Sequence, residues 1–393
     1  MPREVQGVSL KRNRTFTPWV GVFGEQLAAS YHDDISIQFP YGVNTDYDVV
    51  AVVTGDGAVA GTGGNLCSVS STTGTAYVES KDFVRNRPGH TARFLMTASF
   101  NGTGEGVIGA FNDDSGIWLK YSGGTITAGY RNGGVDTIAT KFNGDLGVDG
   151  INWDNINIFE VTYGYLGVAP PMIRVLPRDQ FQWHVLHTFL TAGVLNTTHI
   201  GTPIIPIRME TSGDMEILSA SWSGGVLGDG SQIGARPFSW SGELTLSGTD
   251  IGTVVTFENM NTFNSKNNAV KVKLLRYEFF VDKPSNGDGT VQFDIIGNPS
   301  LTGTPSWTEE ETGNSVMRYD TVQQYDSGGK PILTEWVGYS GSHNSGAAGG
   351  HVFDAAQIGA VGRPGEQFAI LAQNVNGSTA VTVRVTFNWE ELF

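Results

Sequence analysis

The reading of this chain turns on Phe142–Thr211, whose central residues 158–189 run IFEVTYGYLGVAPPMIRVLPRDQFQWHVLHTF. A polar loop rich in Gly, Asp and Asn opens the stretch. Ile158–Leu166 then alternates, with Phe159, Val161, Tyr163 and Tyr165 on one face. Met172–Leu176 is a second short run, and Phe181–Phe189 puts Phe181, Trp183, Val185 and Phe189 on one face. A period of two marks a half-buried antiparallel strand, because successive side chains leave the backbone on opposite sides. The stretch closes on Pro203-Ile204-Ile205-Pro206-Ile207-Arg208. Proline has no N–H to give a ladder, so this run is expected to be an edge or terminal strand. No catalytic signature lies inside it, and it is expected to be the centre of a scaffold.

Working outward toward the N-terminus, strands are expected at Ile35–Phe39, Tyr47–Val53, Ala76–Val84 and Ala92–Phe100. Runs of hairpin spacing follow at Val107–Phe111, Ile117–Tyr121, Thr125–Arg131 and Val135–Lys141. They are joined by Asn112-Asp113-Asp114-Ser115-Gly116, Ser122-Gly123-Gly124 and Asn132-Gly133-Gly134. These connectors carry the residues that tolerate the positive φ of tight hairpin turns. Toward the C-terminus, residues 213–240 read as a crossover whose loosest points are Gly224-Gly225 and Gly228-Asp229-Gly230. Strands resume at Thr253–Phe257, Ala269–Val281 and Thr290–Ile296. The cleanest alternation in the chain is Val381, Val383, Val385, Phe387 and Trp389. No stretch shows a sustained 3.6-residue period. The expected fold is all-β, with two antiparallel β-sandwich or jelly-roll domains. An N-terminal arm spans 1–20, a first sandwich 21–212, the crossover 213–240 and a second sandwich 241–393.

Composition agrees. The 393 residues include 53 glycines, and charged residues make up only 16%. The net charge is −15, which argues against nucleic acid as the ligand, since phosphate binding needs clustered Lys and Arg. Residues 1–15 break the trend. There Arg3, Lys11, Arg12 and Arg14 face Glu4 alone, a local balance of +3 that leaves −18 for the remainder. These four cations are the expected docking residues for an acidic partner. One cysteine, Cys67, excludes an intrachain disulfide. The N-terminus lacks an apolar secretory segment and no run reaches membrane-span length, so folding in a cytoplasm is expected.

The chemical motifs are mostly bland. Gly104-Glu105-Gly106-Val107-Ile108-Gly109 matches GxGxxG, but strands flank it, whereas a dinucleotide site needs a helix N-terminus after it. His184 and His187 are offset by an odd number, which on a strand sends them to opposite faces and prevents joint chelation. Asp145, Asp149 and Asp154 in the 143–155 loop, with Asp113-Asp114, are oxygen donors suited to calcium but follow no known loop pattern. No metal or cofactor is expected. Trp118, Tyr121 and Tyr130 sit near hairpin tips and are the expected stacking residues if a glycan is bound; aromatics on strands more often fill cores.

Four segments carry a resemblance. The first is Val22-Phe23-Gly24-Glu25 through Ile37-Gln38-Phe39-Pro40-Tyr41 to Asn44-Thr45-Asp46. The second is Val84-Arg85, Arg87-Pro88-Gly89 and Ala92-Arg93-Phe94. The third is Ile158-Phe159-Glu160 with Tyr165-Leu166-Gly167-Val168, His187, and Pro203 through Glu210. The last is Asn298-Pro299, Pro305-Ser306-Trp307, Leu371-Ala372, Asn374 and Trp389-Glu390-Glu391. Together they resemble a largely uncharacterised family of virion structural proteins of tailed phages and some large viruses. The chain departs from that pattern at Ala169-Pro170-Pro171, where a glycine-and-strand continuation is expected. The resemblance implies a non-enzymatic head- or tail-attached fibre, spike or decoration component, localised to the virion after assembly in a host cytoplasm. Other virion proteins would be its partners, with no membrane involved. By analogy with spikes, a homotrimer is expected. The rival expectations are an adhesin that recognises host surface glycans, and a glycan depolymerase with convergent carboxylates in a groove.

Overall fold

A computed structural model describes residues 31–84, 87, 89–139, 141–144, 150–164, 170–177, 182–191, 198–202, 204–227, 235–268, 270–282, 289–339, 351–354, 361–375 and 380–392. Arg3, Lys11, Arg12 and Arg14 lie outside the described residues, as do Asp145 and Asp149. The chain is all-β and divides into two compact units, Met1–Ser231 and Gln232–Phe393. Among the described residues, no helix is long and apolar enough to cross a membrane.

The first unit begins with β1 (Tyr31–Gln38), β2 (Val49–Thr54), β3 (Ala58–Gly61), β4 (Cys67–Ser71) and β5 (Thr75–Ser80). It continues with β6 (Thr91–Gly102), β7 (Glu105–Phe111), β8 (Ser115–Ser122), β9 (Thr125–Asn132) and β10 (Val135–Ile138). It ends with β11 (Asn157–Tyr163), β12 (Met172–Leu176), β13 (His184–Thr188), β14 (Ile207–Ser212), β15 (Met215–Ser219) and β16 (Ser221–Leu227). These make two antiparallel sheets. One has nine strands, with the path β13-β12-β11-β6-β15-β4-β3 and β1 joined through β16 to β6. The other has seven, in the order β10-β9-β8-β7-β14-β5-β2.

The inner faces of the two sheets form one core. Phe94, Met96, Ala98 and Phe100 of β6 point in, as do Phe159, Val161 and Tyr163 of β11, and they meet Ile108, Ala110, Ile117, Leu119, Ile207 and Met209 of the other sheet. Each of these side chains larger than alanine contributes about 2 kcal/mol when withdrawn from water. On the outer face of the nine-stranded sheet, Glu160 is buried between Arg93, at 3.0 Å, and Arg174, a clamp across β6, β11 and β12.

Three expectations are corrected here. The run ending in Arg208 is not an edge: β14 lies between β5 and β7, because Pro203 and Pro206 both precede its first ladder residue, Ile207. Residues 213–227 are not a crossover but strands β15 and β16 of the first sandwich. Gly224 is there for packing rather than looseness, since a Cβ at that position would stand 2.8 Å from Val84 and 3.3 Å from Phe94. Finally, the register slips by one residue between Ile173 and Arg174, so His184 and His187 stand opposite Val175 and Ile173, two residues of the same face.

The second unit holds β17 (Ala235–Leu246), β18 (Ile251–Asn259), β19 (Thr262–Phe263), β20 (Lys266–Asn267) and β21 (Lys271–Asp282). Next come β22 (Gly289–Gly297), β23 (Ser300–Leu301), β24 (Thr308–Glu309), β25 (Met317–Asp320) and β26 (Tyr325–Ser327). The last are β27 (Lys330–Tyr339), β28 (His351–Asp354), β29 (Val361–Gly362), β30 (Gln367–Asn374) and β31 (Val381–Leu392). A five-stranded sheet runs β17-β31-β21-β28, with β29 also on β21, and a six-stranded sheet runs β24-β25-β18-β30-β22-β27. Phe257, Phe279, Phe293, Phe387 and Trp389 fill the space between them. Buried Glu391 ties the last strand inward, accepting from Ser315 Oγ at 2.5 Å, Val316 N–H at 2.9 Å and Trp389 Nε1 at 3.1 Å.

Candidate functional site

The outer face of the seven-stranded sheet carries the most developed polar constellation. On β14, Ile207 and Met209 enter the core, so alternation sends Arg208 and Glu210 out. On β5, Ala76 and Val78 go in, and Tyr77 and Glu79 go out. Register does the rest. Arg208 faces Glu79 on one side and Gly109 on the other, and Glu210 faces Tyr77 and Val107.

The Arg208 side chain is only 7% exposed although it lies on an outer face. Its guanidinium stacks over the Tyr77 ring at 3.8 Å and stands 5.5 Å from the Phe111 ring. Three carboxylates surround it: Asp113 at 2.9 Å, Glu210 at 2.9 Å and Glu79 at 3.5 Å. The longest of these is an ion pair without a hydrogen bond, and Glu79 Oε2 and Arg208 Nε are both buried with no hydrogen-bond partner among the described residues. Burial therefore pushes the Glu79 carboxyl above its ordinary range, aided by the charges of Asp113 and Glu210 and opposed by Arg208. Burial likewise raises the Tyr77 phenol.

Beside this network lies a groove of about 300 Å³, lined by Thr75, Tyr77, Glu105, Val107, Arg208, Glu210 and Ser212, among others. Lys120 Nζ pairs with Glu105 at 3.2 Å on its far side. The groove is thus rich in acceptors and hydroxyls, walled by an aromatic ring and an aliphatic side chain. Its one guanidinium is already neutralised.

The aromatics singled out from the sequence lie elsewhere. Trp118 is on the outer face but 4% exposed: its indole occupies the space left by the missing side chain of Gly129, and its N–H donates to Asp136 at 3.2 Å. Tyr121 points inward, stacked on Phe100 at 5.3 Å. Tyr130 also points inward, edge-on to Phe189 at 5.5 Å and to His199 at 6.5 Å. These rings are committed to packing, so the expectation of a stacking surface at Trp118, Tyr121 and Tyr130 is corrected. Tyr77 and Arg208 were missed. Arg208 is a lone cation in an apolar run, and apart from Glu210 its partners lie in strands and turns about a hundred residues away or more.

Other candidate chemistry is quiet. Buried Cys67 has its thiol pushed up to about 12 by desolvation, which makes it a poor nucleophile. His199 is buried, and burial holds its imidazole down at about 4. Asp154 and Asn152 form a local turn, with Asp154 N–H donating to Asn152 Oδ1 at 3.1 Å. Among the described residues no group of three His, Cys, Asp or Glu side chains is placed to hold a metal.

The second sandwich carries a shallower groove of about 540 Å³ on the outer face of its five-stranded sheet, lined by Ser241, Glu243, Phe280, Asp282, Arg384 and Thr386, among others. Arg384 meets Glu243 at 3.2 Å and Asp282 at 2.9 Å.

No protein-family model and no curated protein matches the chain. Among solved structures, it is similar to a lectin from Bauhinia forficata in complex with GalNAc, at 11% identity over 49% of this chain and 97% of that one, with a TM-score of 0.33. It is also similar to a legume lectin-like domain from Entamoeba histolytica, at 11% identity over 50% and 98% of the two chains and a TM-score of 0.34. A third is the carbohydrate recognition domain of Emp46p in potassium-bound form, at 9% identity, 50% and 98% coverage and a TM-score of 0.34. Similarity at this level is too low to bear on the ligand of this chain.

Proposed function

We propose that this protein is a non-enzymatic attachment component of a virus-like particle whose first sandwich binds a host-surface saccharide. The observation that carries the binding role is the groove between β5, β14 and β7, where Tyr77, Glu105, Glu210, Thr75 and Ser212 line a sugar-sized hollow over a fixed Arg208 network. Saccharide sites combine an aromatic or aliphatic wall with convergent hydrogen-bonding groups, and a pre-ordered set spares the entropy of arranging them on binding. The particle setting is supported by the resemblance of the four sequence segments to virion structural proteins.

The groove's charge narrows the ligand. Arg208 is ringed by three carboxylates, and Glu105 and Glu210 also line the hollow, so a neutral or amino-bearing sugar is favoured. A uronic or sialic acid meets like charge. The full chain on a glycan array should bind neutral or amino-bearing saccharides, with Tyr77→Ala weakening that binding by about tenfold or more. Absence of binding to any saccharide, or binding untouched by Tyr77→Ala, would remove this function.

A further inference from the structure

We infer that β2 is a self-association edge: two copies of this chain pair antiparallel through Val49–Thr54 about a two-fold axis, joining their seven-stranded sheets into one. β2 is the last strand of its sheet and, among the described residues, pairs only with β5. Its sequence, VVAVVT, is β-branched at five of six positions and holds no charge, proline or glycine. Natural sheets blunt such edges with lysine, proline, bulges or very short strands, because open N–H and C=O groups recruit another strand. None of those devices is present here, and the β2–β5 register runs without a shift.

Exposure is concentrated at the same place. Of the twelve large apolar or tyrosyl side chains exposed among the described residues, five fall within thirteen positions: Tyr41, Tyr47, Val50, Val52 and Val53. Opposite the edge, β10 interrupts its exposed Val135 and Ile138 with Asp136, whose carboxylate is held by Arg131 at 2.8 Å.

The occupant is a second copy because the contact is self-complementary. In a two-fold antiparallel pair residue i of one strand meets residue j of the other, and an edge with no charge at any position meets its copy without like-charge contact in any register. This chain carries −15, and most of its surface opposes self-contact, but β2 places no charge against its copy. A strand pair with a tyrosine rim falls short of the large obligate interfaces, so the dimer should dissociate in the micromolar range and tighten as salt screens the net charge. The pairing implies even-numbered assemblies rather than the trimer expected by analogy. Resting on the proposed saccharide groove, it has one further consequence. Five strand spacings separate β14 from its copy, which sets the two grooves about 24 Å apart on one continuous face, a spacing that favours bivalent capture.

The test is sedimentation equilibrium of the full chain across the micromolar range at low and high salt, beside Val53→Lys. The wild type should reach twice its 42.1 kDa mass and hold it better in high salt, while Val53→Lys stays monomeric. A wild type that remains monomeric, forms trimers, or dimerises as well with Val53→Lys overturns the inference. Should Val53→Lys fail to fold, single cysteines at Ala51, Val52 and Val53, the central positions at which the strand can meet itself across the axis, replace it under mild oxidation, native Cys67 being buried and silent. Disulfide-linked dimers are expected, and their absence at all three positions is equally fatal. Neither assay involves saccharide, so its failure is separate from failure of the binding role.

Discussion

Arg208 in the first sandwich and Arg384 in the second occupy the same kind of place and do different things. Each sits on an outer sheet face between carboxylates, with an aromatic ring close by in the groove lining. Arg208 is 7% exposed and Arg384 is 57% exposed. Tyr77 and Phe111 cover the first guanidinium, while the second stands in water beside a half-open Phe280. A covered network holds its groups in one arrangement and strengthens every charge interaction inside it. A solvated pair gains little and reorders freely. The lesson is that sheet position and residue types do not make a site: cover does.

The sharpest way to break this comparison is to truncate both arginines. Arg208→Ala strands Glu79 and Glu210 beside the half-buried Tyr77 ring and should cost about 3 kcal/mol of stability, whereas Arg384→Ala should cost no more than about 0.5 kcal/mol. Urea denaturation of the two variants checks this, and equal losses would show that cover is irrelevant.

Acid separates the two sandwiches next. His199 in the first is held neutral down to about 4, well under its ordinary 6.5. Its unfolded form takes up a proton over that interval and its folded form does not. Stability from this group is therefore intact above pH 6.5 and is lost as pH falls toward 4, by about 3 kcal/mol in all. Glu391 in the second has its carboxyl raised by burial, so its folded form takes the proton first and acidification toward its unfolded range stabilises that sandwich. Calorimetry between pH 7 and 4 should show the first sandwich's transition moving down relative to the second's, with His199→Phe flattening the slope.

The smallest effect sharpens the ligand. Glu105→Gln removes only an exposed pair with Lys120 and should leave stability within about 0.5 kcal/mol, yet admit acidic saccharides that the wild type refuses. A glycan array with uronic-acid ligands reads that change.

Much of this architecture was legible in the chain. The meander from Glu105 to Ile138 was readable because its turns are chemically explicit: Gly123, Gly124, Gly133 and Gly134 all adopt positive φ. Val381–Trp389 was readable because its alternation is uninterrupted. β15 and β16 were not, since Gly224 and Gly225 look like a loop until the side chains pressing on Gly224 are seen. The site was the least legible part. Alternation predicts which face Trp118 and Tyr77 share, but not that Gly129 lets one indole sink while Arg208 fixes the other ring at the groove wall. Those outcomes depend on register between strands far apart in sequence, which no local pattern encodes.

The most direct test of the central claim is amide hydrogen exchange of the full chain with and without its best array saccharide. Protection should appear in Thr75–Ser80, Glu105–Phe111 and Ile207–Ser212, and none in residues 241–243, 280–282 and 384–386 of the second sandwich. Protection of the second set alone would contradict the account and move the site to the solvated arginine.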